Sequence, residues 1–186
     1  NNGISCIGPD EIFTITIPMG QVNAIANQDL CSGDQSLSID FSTINTQGTT
    51  TYTWTNDNSS IGLSSGATGN IPSFTAINTG DTAQVANIIV TPSYNYSGVI
   101  CDGPSESFII TVNPGAQVNA VDNQVLCDGD ISNEVIFTTT NTDGTTTYNW
   151  INNNTSIGLP GAGSGSIPAF AVVNTSNTAQ TAIITV

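Results

Sequence analysis

TYTWTNDNSSIGL at 51–63 returns as TYNWINNNTSIGL at 147–159. An aromatic pair two residues apart, Tyr52 and Trp54 or Tyr148 and Trp150, places both rings on one face of an extended strand. Working outward at the same offset of 96 residues, QVNAIANQDLC at 21–31 matches QVNAVDNQVLC at 117–127, and GNIPSFTAINT at 69–79 matches GSIPAFAVVNT at 165–175. Between 21–90 and 117–186, 39 of 70 aligned positions are identical. A repeat of this length marks a chain built from copies of one supersecondary unit.

Within a unit, short runs of β-branched and aromatic residues alternate with Asn, Gly and Ser clusters, which predicts an all-β fold. Residues 22–31 predict a first, edge-like strand. Leu37, Ile39 and Phe41 alternate with polar residues, the period of a half-buried strand. Gln47-Gly48 marks a turn before the Tyr52/Trp54 strand. Ile61 and Leu63 precede a Gly/Ser-rich loop at 64–70. Phe74 and Ala76 belong to the next strand, Ala86, Ile88 and Val90 to one that Pro92 is expected to end, and Phe108, Ile110 and Val112 to the last. About seven strands around one Trp is the expectation for an immunoglobulin-like antiparallel β-sandwich. No window has helical periodicity.

CIGPDEIFTITIPMG, from Cys6, also matches CDGPSESFIITVNPG, from Cys101, so that Phe13, Ile15 and Ile17 fall on Phe108, Ile110 and Val112. Residues 1–19 therefore read as the last strand of a preceding repeat, 20–115 as one complete repeat, and 116–186 as a second that stops before its last strand. Pro and Gly at Pro18-Met19-Gly20 and Asn113-Pro114-Gly115 mark the boundaries. Linkers this short predict units stacked end to end. Two readings of the ends stay open: an excerpt from a longer array, or donation of residues 10–18 to the open sandwich of another subunit.

The string W-x-N-x-N-x-S-I-G-L, then G-x-I-P-x-F, then an A-x-I-x-V strand, resembles the PKD-like repeats of gliding bacteria. These occur in very large cell-surface adhesins, including gliding-motility adhesins, exported by the type 9 route. The resemblance spans nearly the whole chain. It implies a long, modular extracellular molecule whose partners are neighbouring repeats or subunits and a surface polysaccharide or substratum.

Composition narrows the chemistry. The chain has no Lys, Arg or His, against 14 Asp plus Glu, a formal charge of −14. Nucleic-acid binding and attraction to anionic lipid both need cationic side chains, so neither is expected. No apolar run approaches the roughly 20 residues of a membrane helix, which predicts no membrane insertion in this segment. No base is present to activate a Ser or Thr nucleophile, and the acids are scattered, so no enzyme is expected. The alternative to a stalk is a carbohydrate- or protein-binding module using exposed loops such as 64–70 and 160–166.

Cys31 is equivalent to Cys127, and Cys6 to Cys101. In an exported chain, two cysteines per repeat predict disulfides. One expectation is Cys31–Cys101, closing a loop of about 70 residues for roughly 4 kcal/mol, with Cys6 and Cys127 pairing outside the chain. The other is a bridge from the pole of one repeat to its neighbour, because the first and last strands of such a sandwich put those positions at opposite poles. No cofactor is expected. Asp34, Asp128 and Asp130 beside turn glycines are candidates for calcium, or for hydrogen bonds to their own turn. Trp54 and Trp150 read as core residues rather than sugar platforms. Asn58, Asn95, Asn153, Asn154 and Asn174 match N-x-Ser/Thr, and Asp81-Thr82-Ala83 resembles a short O-glycosylation signal centred on Thr82.

Overall fold

The computed structural model describes residues 10–186. Cys6 and the start of the strand expected in 1–19 lie outside the described residues. The described chain is all-β, with two short 3-10 turns as its helical content.

The first unit is a sheet of six strands: β1 (Gln28–Cys31), β2 (Thr49–Asn56), β3 (Gly66–Thr68), β4 (Gln84–Tyr96), β5 (Val99–Asp102) and β6 (Glu106–Asn113). Their order is β1-β6-β4-β2-β3, with β5 added to the end of β4. β6 lies between β4, to which it is antiparallel, and β1, to which it is parallel. The expectation of purely antiparallel pairing is corrected at that one pair. A facing layer is formed by 35–41 and 71–76, joined by bridges at Gln35–Thr75 and Ile39–Ile71.

Alternation along the strands builds the core between these layers. Tyr52 and Trp54 on β2, Ala86, Ile88 and Val90 on β4, and Phe108, Ile110 and Val112 on β6 are buried with Ile39, Phe41, Ile61, Leu63, Ile71 and Ala76 in one cluster. Leu37, expected to share the inner face with Ile39 and Phe41, is exposed, and Ser36 is buried instead. The backbone there is spoken for: Ser36 exchanges bonds with Phe74, while Leu37 N–H donates to the Gln28 side chain at 3.1 Å.

Pro92 does not end its strand. β4 runs through it to Tyr96. Ladder pairing on that side of β4 passes from Glu106 of β6, opposite Val90, to Asp102 of β5, opposite Ser93. A proline fits where the neighbouring ladder changes partner, because its missing N–H is not needed there. The first expected strand is also shorter, forming only at Gln28–Cys31.

The second unit repeats this plan in part. β7 (Asn149–Asn152) pairs with β8 (Ala162–Ser164) and with β9 (Ile184–Thr185), in the registers of β2 with β3 and β4. Bridges at Ile131–Ala171 and Val135–Ile167 form the facing layer. Phe137, Trp150, Leu159 and Ile167 are buried in a second cluster, with Tyr148, Phe170 and Ile184 packed on it.

The units meet through polar contacts. Thr142 N–H donates to the Asp81 carbonyl at 3.0 Å, Ala83 N–H to the Asp143 carboxylate at 2.9 Å, and the Thr140 hydroxyl to the Asp81 carboxylate at 2.8 Å. The Asn141 amide also holds the linker carbonyl of Gly115 at 2.9 Å, as Asn45 holds that of Met19 at 3.0 Å. Among the described residues no helix is long and apolar enough to cross a membrane.

Candidate functional site

The Asn-rich turns are internal scaffolding. Asn56 is buried; its amide donates to the carbonyls of Leu63 and Ser64, both at 3.1 Å, and its oxygen accepts Asn58 N–H at 2.9 Å. Asn58 then caps the 3-10 turn and donates to the Val85 carbonyl at 3.0 Å. Asn152 and Asn154 reproduce the set on Leu159, Pro160 and Thr181. Trp54 and Trp150 are buried in their cores. Their rings are therefore out of reach of a sugar.

The acidic candidates are engaged in turns. The Asp34 carboxylate accepts Cys31 N–H at 2.9 Å, and Asp130 accepts Cys127 N–H at 2.8 Å. Asp128 accepts Asn174 N–H at 2.8 Å, as the Ser32 hydroxyl does from Asn78. Asp34 and Asp130 thereby close local backbone rings around Gly33 and Gly129, whose φ values of 97° and 86° favour glycine, whereas Asp128 ties its turn to the distant Asn174 backbone. Among the described residues no group of three or more Cys, Asp or Glu is placed to hold a metal ion.

Thr82 is exposed, on the loop whose flanking residues Asp81 and Ala83 bond the second unit. Among the cysteines, the expected Cys31–Cys101 bridge is not formed. Cys31 lies beside Asn113 at one end of β6, and Cys101 beside Tyr94 at the far end of β4. Roughly ten strand residues, about 33 Å, separate them, against the ~7 Å that a disulfide spans. The polar separation that favours bridges between neighbours is what the register produces.

The two units differ in how β4 and its counterpart β9 are covered. In the first unit β6 covers Ala86, Ile88 and Val90 until none is exposed. In the second unit no described residue takes the place of β6, and β9 pairs with β7 alone. Ile184, the counterpart of Ile88, is half-exposed, and Leu126, Val121 and Val186 face solvent. Polar groups are left open too. Asn78 donates to the carbonyls of Thr82 at 2.8 Å and of Val112, on β6, at 2.7 Å. The side-chain amide of its counterpart Asn174 donates to the Thr178 carbonyl alone, at 3.0 Å.

No family model matches the chain, and no curated protein matches it.

Proposed function

We propose that this chain is a stretch of a structural and adhesive stalk: tandem immunoglobulin-like, PKD-like units of a long bacterial cell-surface protein, working without catalysis. The observation that carries this reading is that both units spend their polar residues on the same internal bonds. The Asn56/Asn58 set recurs at Asn152/Asn154, residue for residue. Repetition has kept the scaffold, while the exposed loop at 64–68 diverges from 160–164. A stalk needs the former; a binding site would need the latter kept.

The sandwich identity draws support from the sheet order, with a first strand parallel to the last, and from one Trp at the centre of each unit. Stacking draws support from the hydrogen-bonded junction at Asp81, Thr140, Thr142 and Asp143. A charge of −14 with no cation keeps such chains apart in a crowded layer.

The test is single-molecule stretching of a tethered concatemer. Expected are regular unfolding peaks whose spacing matches release of one ~96-residue unit, roughly 300 Å of chain. Smooth extension without peaks would rule out a load-carrying stalk. A soluble glycan that binds the isolated chain through 64–70 or 160–166 would favour the binding-module reading instead.

A further inference from the structure

Three Asp-Gly steps occur in the chain, at Asp102-Gly103, Asp128-Gly129 and Asp143-Gly144. Such a step is open to a reaction of its own backbone, because glycine has no side chain to hinder its amide nitrogen. That nitrogen can attack Cγ of the aspartate before it. The fold treats the three steps differently.

At two of them the nucleophile is occupied. Gly103 N–H donates to the Pro92 carbonyl at 2.9 Å, and Gly129 N–H to the Val172 carbonyl at 3.0 Å. Gly103 is also pressed against the backbone of Gly20. Attack at either step first needs the hydrogen bond broken and the backbone turned. Gly144 differs. Among the described residues its N–H donates to no acceptor, and Asp143 and Gly144 are both exposed. Its counterpart Gly48, inside the first unit, likewise donates to none, so this freedom belongs to the turn itself.

The electrophile at this step is prepared as well. The Asp143 carboxyl group accepts Ala83 N–H at 2.9 Å, across the junction between the units. A donor at that oxygen draws charge from Cγ and stabilises the oxyanion that attack creates. Asp128 also accepts an N–H, from Asn174 at 2.8 Å, but its glycine is tied up. Of the three steps, Asp143-Gly144 alone combines an unoccupied amide nitrogen with a polarised carboxyl group.

We propose that Asp143-Gly144 is a site of self-modification, at which aspartate converts to isoaspartate without an enzyme. The Gly144 nitrogen bonds to Asp143 Cγ and gives up its proton, and the Cγ–OH bond breaks. One water leaves, and a five-membered succinimide ring remains. A water molecule then opens the ring. Breaking the bond from nitrogen to Cγ restores aspartate. Breaking the bond from nitrogen to the α-carbonyl carbon leaves the chain running through Cγ, as isoaspartate. The product has the same atoms as the starting chain, but its main chain is longer by one methylene and its free carboxylate sits on Cα. Ala83 N–H loses its acceptor, one of the three hydrogen bonds described across the junction. The joint between the units thus ages by its own chemistry.

The experiment is a time course of the purified 186-residue chain in mildly acidic buffer, folded and in urea, with chymotryptic digestion of each sample; trypsin has no Lys or Arg to cut at. Cuts after Tyr96, Phe108, Phe137 and Tyr148 put the three steps on separate peptides. Isoaspartate shows as a second chromatographic peak of unchanged mass, assigned by electron-transfer fragmentation. In the folded chain the Asp143 peptide is expected to convert at least about 10-fold faster than the other two. In urea every glycine N–H is released, and the three rates are expected to converge within about 3-fold. Asp143→Glu makes the side chain too long for the five-membered ring and should abolish the peak. The proposal is overturned if the folded Asp143 peptide stays a single peak, or if Asp102 or Asp128 keeps pace with it. Rate ratios that urea leaves unchanged, or a peak that persists in D143E, would overturn it too.

Discussion

Ile88 and Ile184 occupy the same position in the two units, yet only one is covered on both sides, and their truncation separates the two environments. Ile88 has no exposed surface and sits between Asn56 of β2 and Phe108 of β6. Ile88→Ala removes three buried carbons and leaves a cavity that close-packed neighbours cannot fill, a loss of about 3–4 kcal/mol. In a unit of about 95 residues, roughly 4–8 °C per kcal/mol lowers its melting point by about 12–32 °C. Ile184 pairs with β7 alone and is half-exposed. Much of its side chain is already in water, so Ile184→Ala should cost the second unit only about 1 kcal/mol. Each core holds one Trp, which makes the assay direct. In a Trp150→Phe background fluorescence follows the first unit, and in Trp54→Phe the second, during urea unfolding at dilute protein. Equal losses at the two positions would mean that the second unit buries Ile184 fully, and its half-exposure would be refuted.

Other outcomes follow from the same structure. Asn56→Ala strips three hydrogen bonds from a buried turn and should cost about 3 kcal/mol by denaturant titration, whereas an exposed ligand-binding Asn would cost almost nothing. Cys101→Ser should leave the monomer's melting temperature unchanged, where a Cys31–Cys101 bridge would have contributed ~4 kcal/mol; a large drop under oxidising conditions refutes the register. Asp57 accepts both the side-chain amide and the backbone N–H of Asn87, at 2.9 and 2.8 Å, which holds its pKa below the ordinary 3.8. Its contribution is therefore present above pH 3.8 and lost as pH falls through the lowered folded-state value. Asp57→Asn should flatten that acid limb in a pH series of melting curves while preserving the fold, because Asn153 already does this work for Ile183 N–H at 2.8 Å.

The all-β character and most core positions could be read from the sequence because two copies supply their own alignment. Tyr52/Trp54, Ala86/Ile88/Val90 and Phe108/Ile110/Val112 obey a period of two, and all are buried. Leu37 could not be placed by periodicity. Its neighbour Ser36 turns inward to bond Phe74, and only the facing segment reveals that. Pro92 misled for a related reason: proline is excluded by a continuous ladder, and sequence does not show where a ladder changes partner. Of the two cysteine pairings left open, Cys31–Cys101 rested on loop entropy, and a favourable loop length says nothing about which pole a residue occupies; the register places the two at opposite poles.

Sheet edges invite uncontrolled pairing between copies, and the charge balance bears on how that is avoided. With 14 acidic groups and no cationic side chain, every approach of two copies is repulsive at long range, and the acids of one chain repel one another too. The consequence is opposite to that of a fold held by unlike charges. Salt screens the repulsion within a Debye length of about 8–10 Å near 0.1–0.15 M, so added NaCl should raise the melting temperature. Sodium chloride and an uncharged osmolyte compared at matched osmolality distinguish screening from general exclusion, since only the first carries ions. A melting temperature that falls with NaCl would mean that attraction between unlike charges stabilises the fold, and this chain has no cationic side chain to provide it.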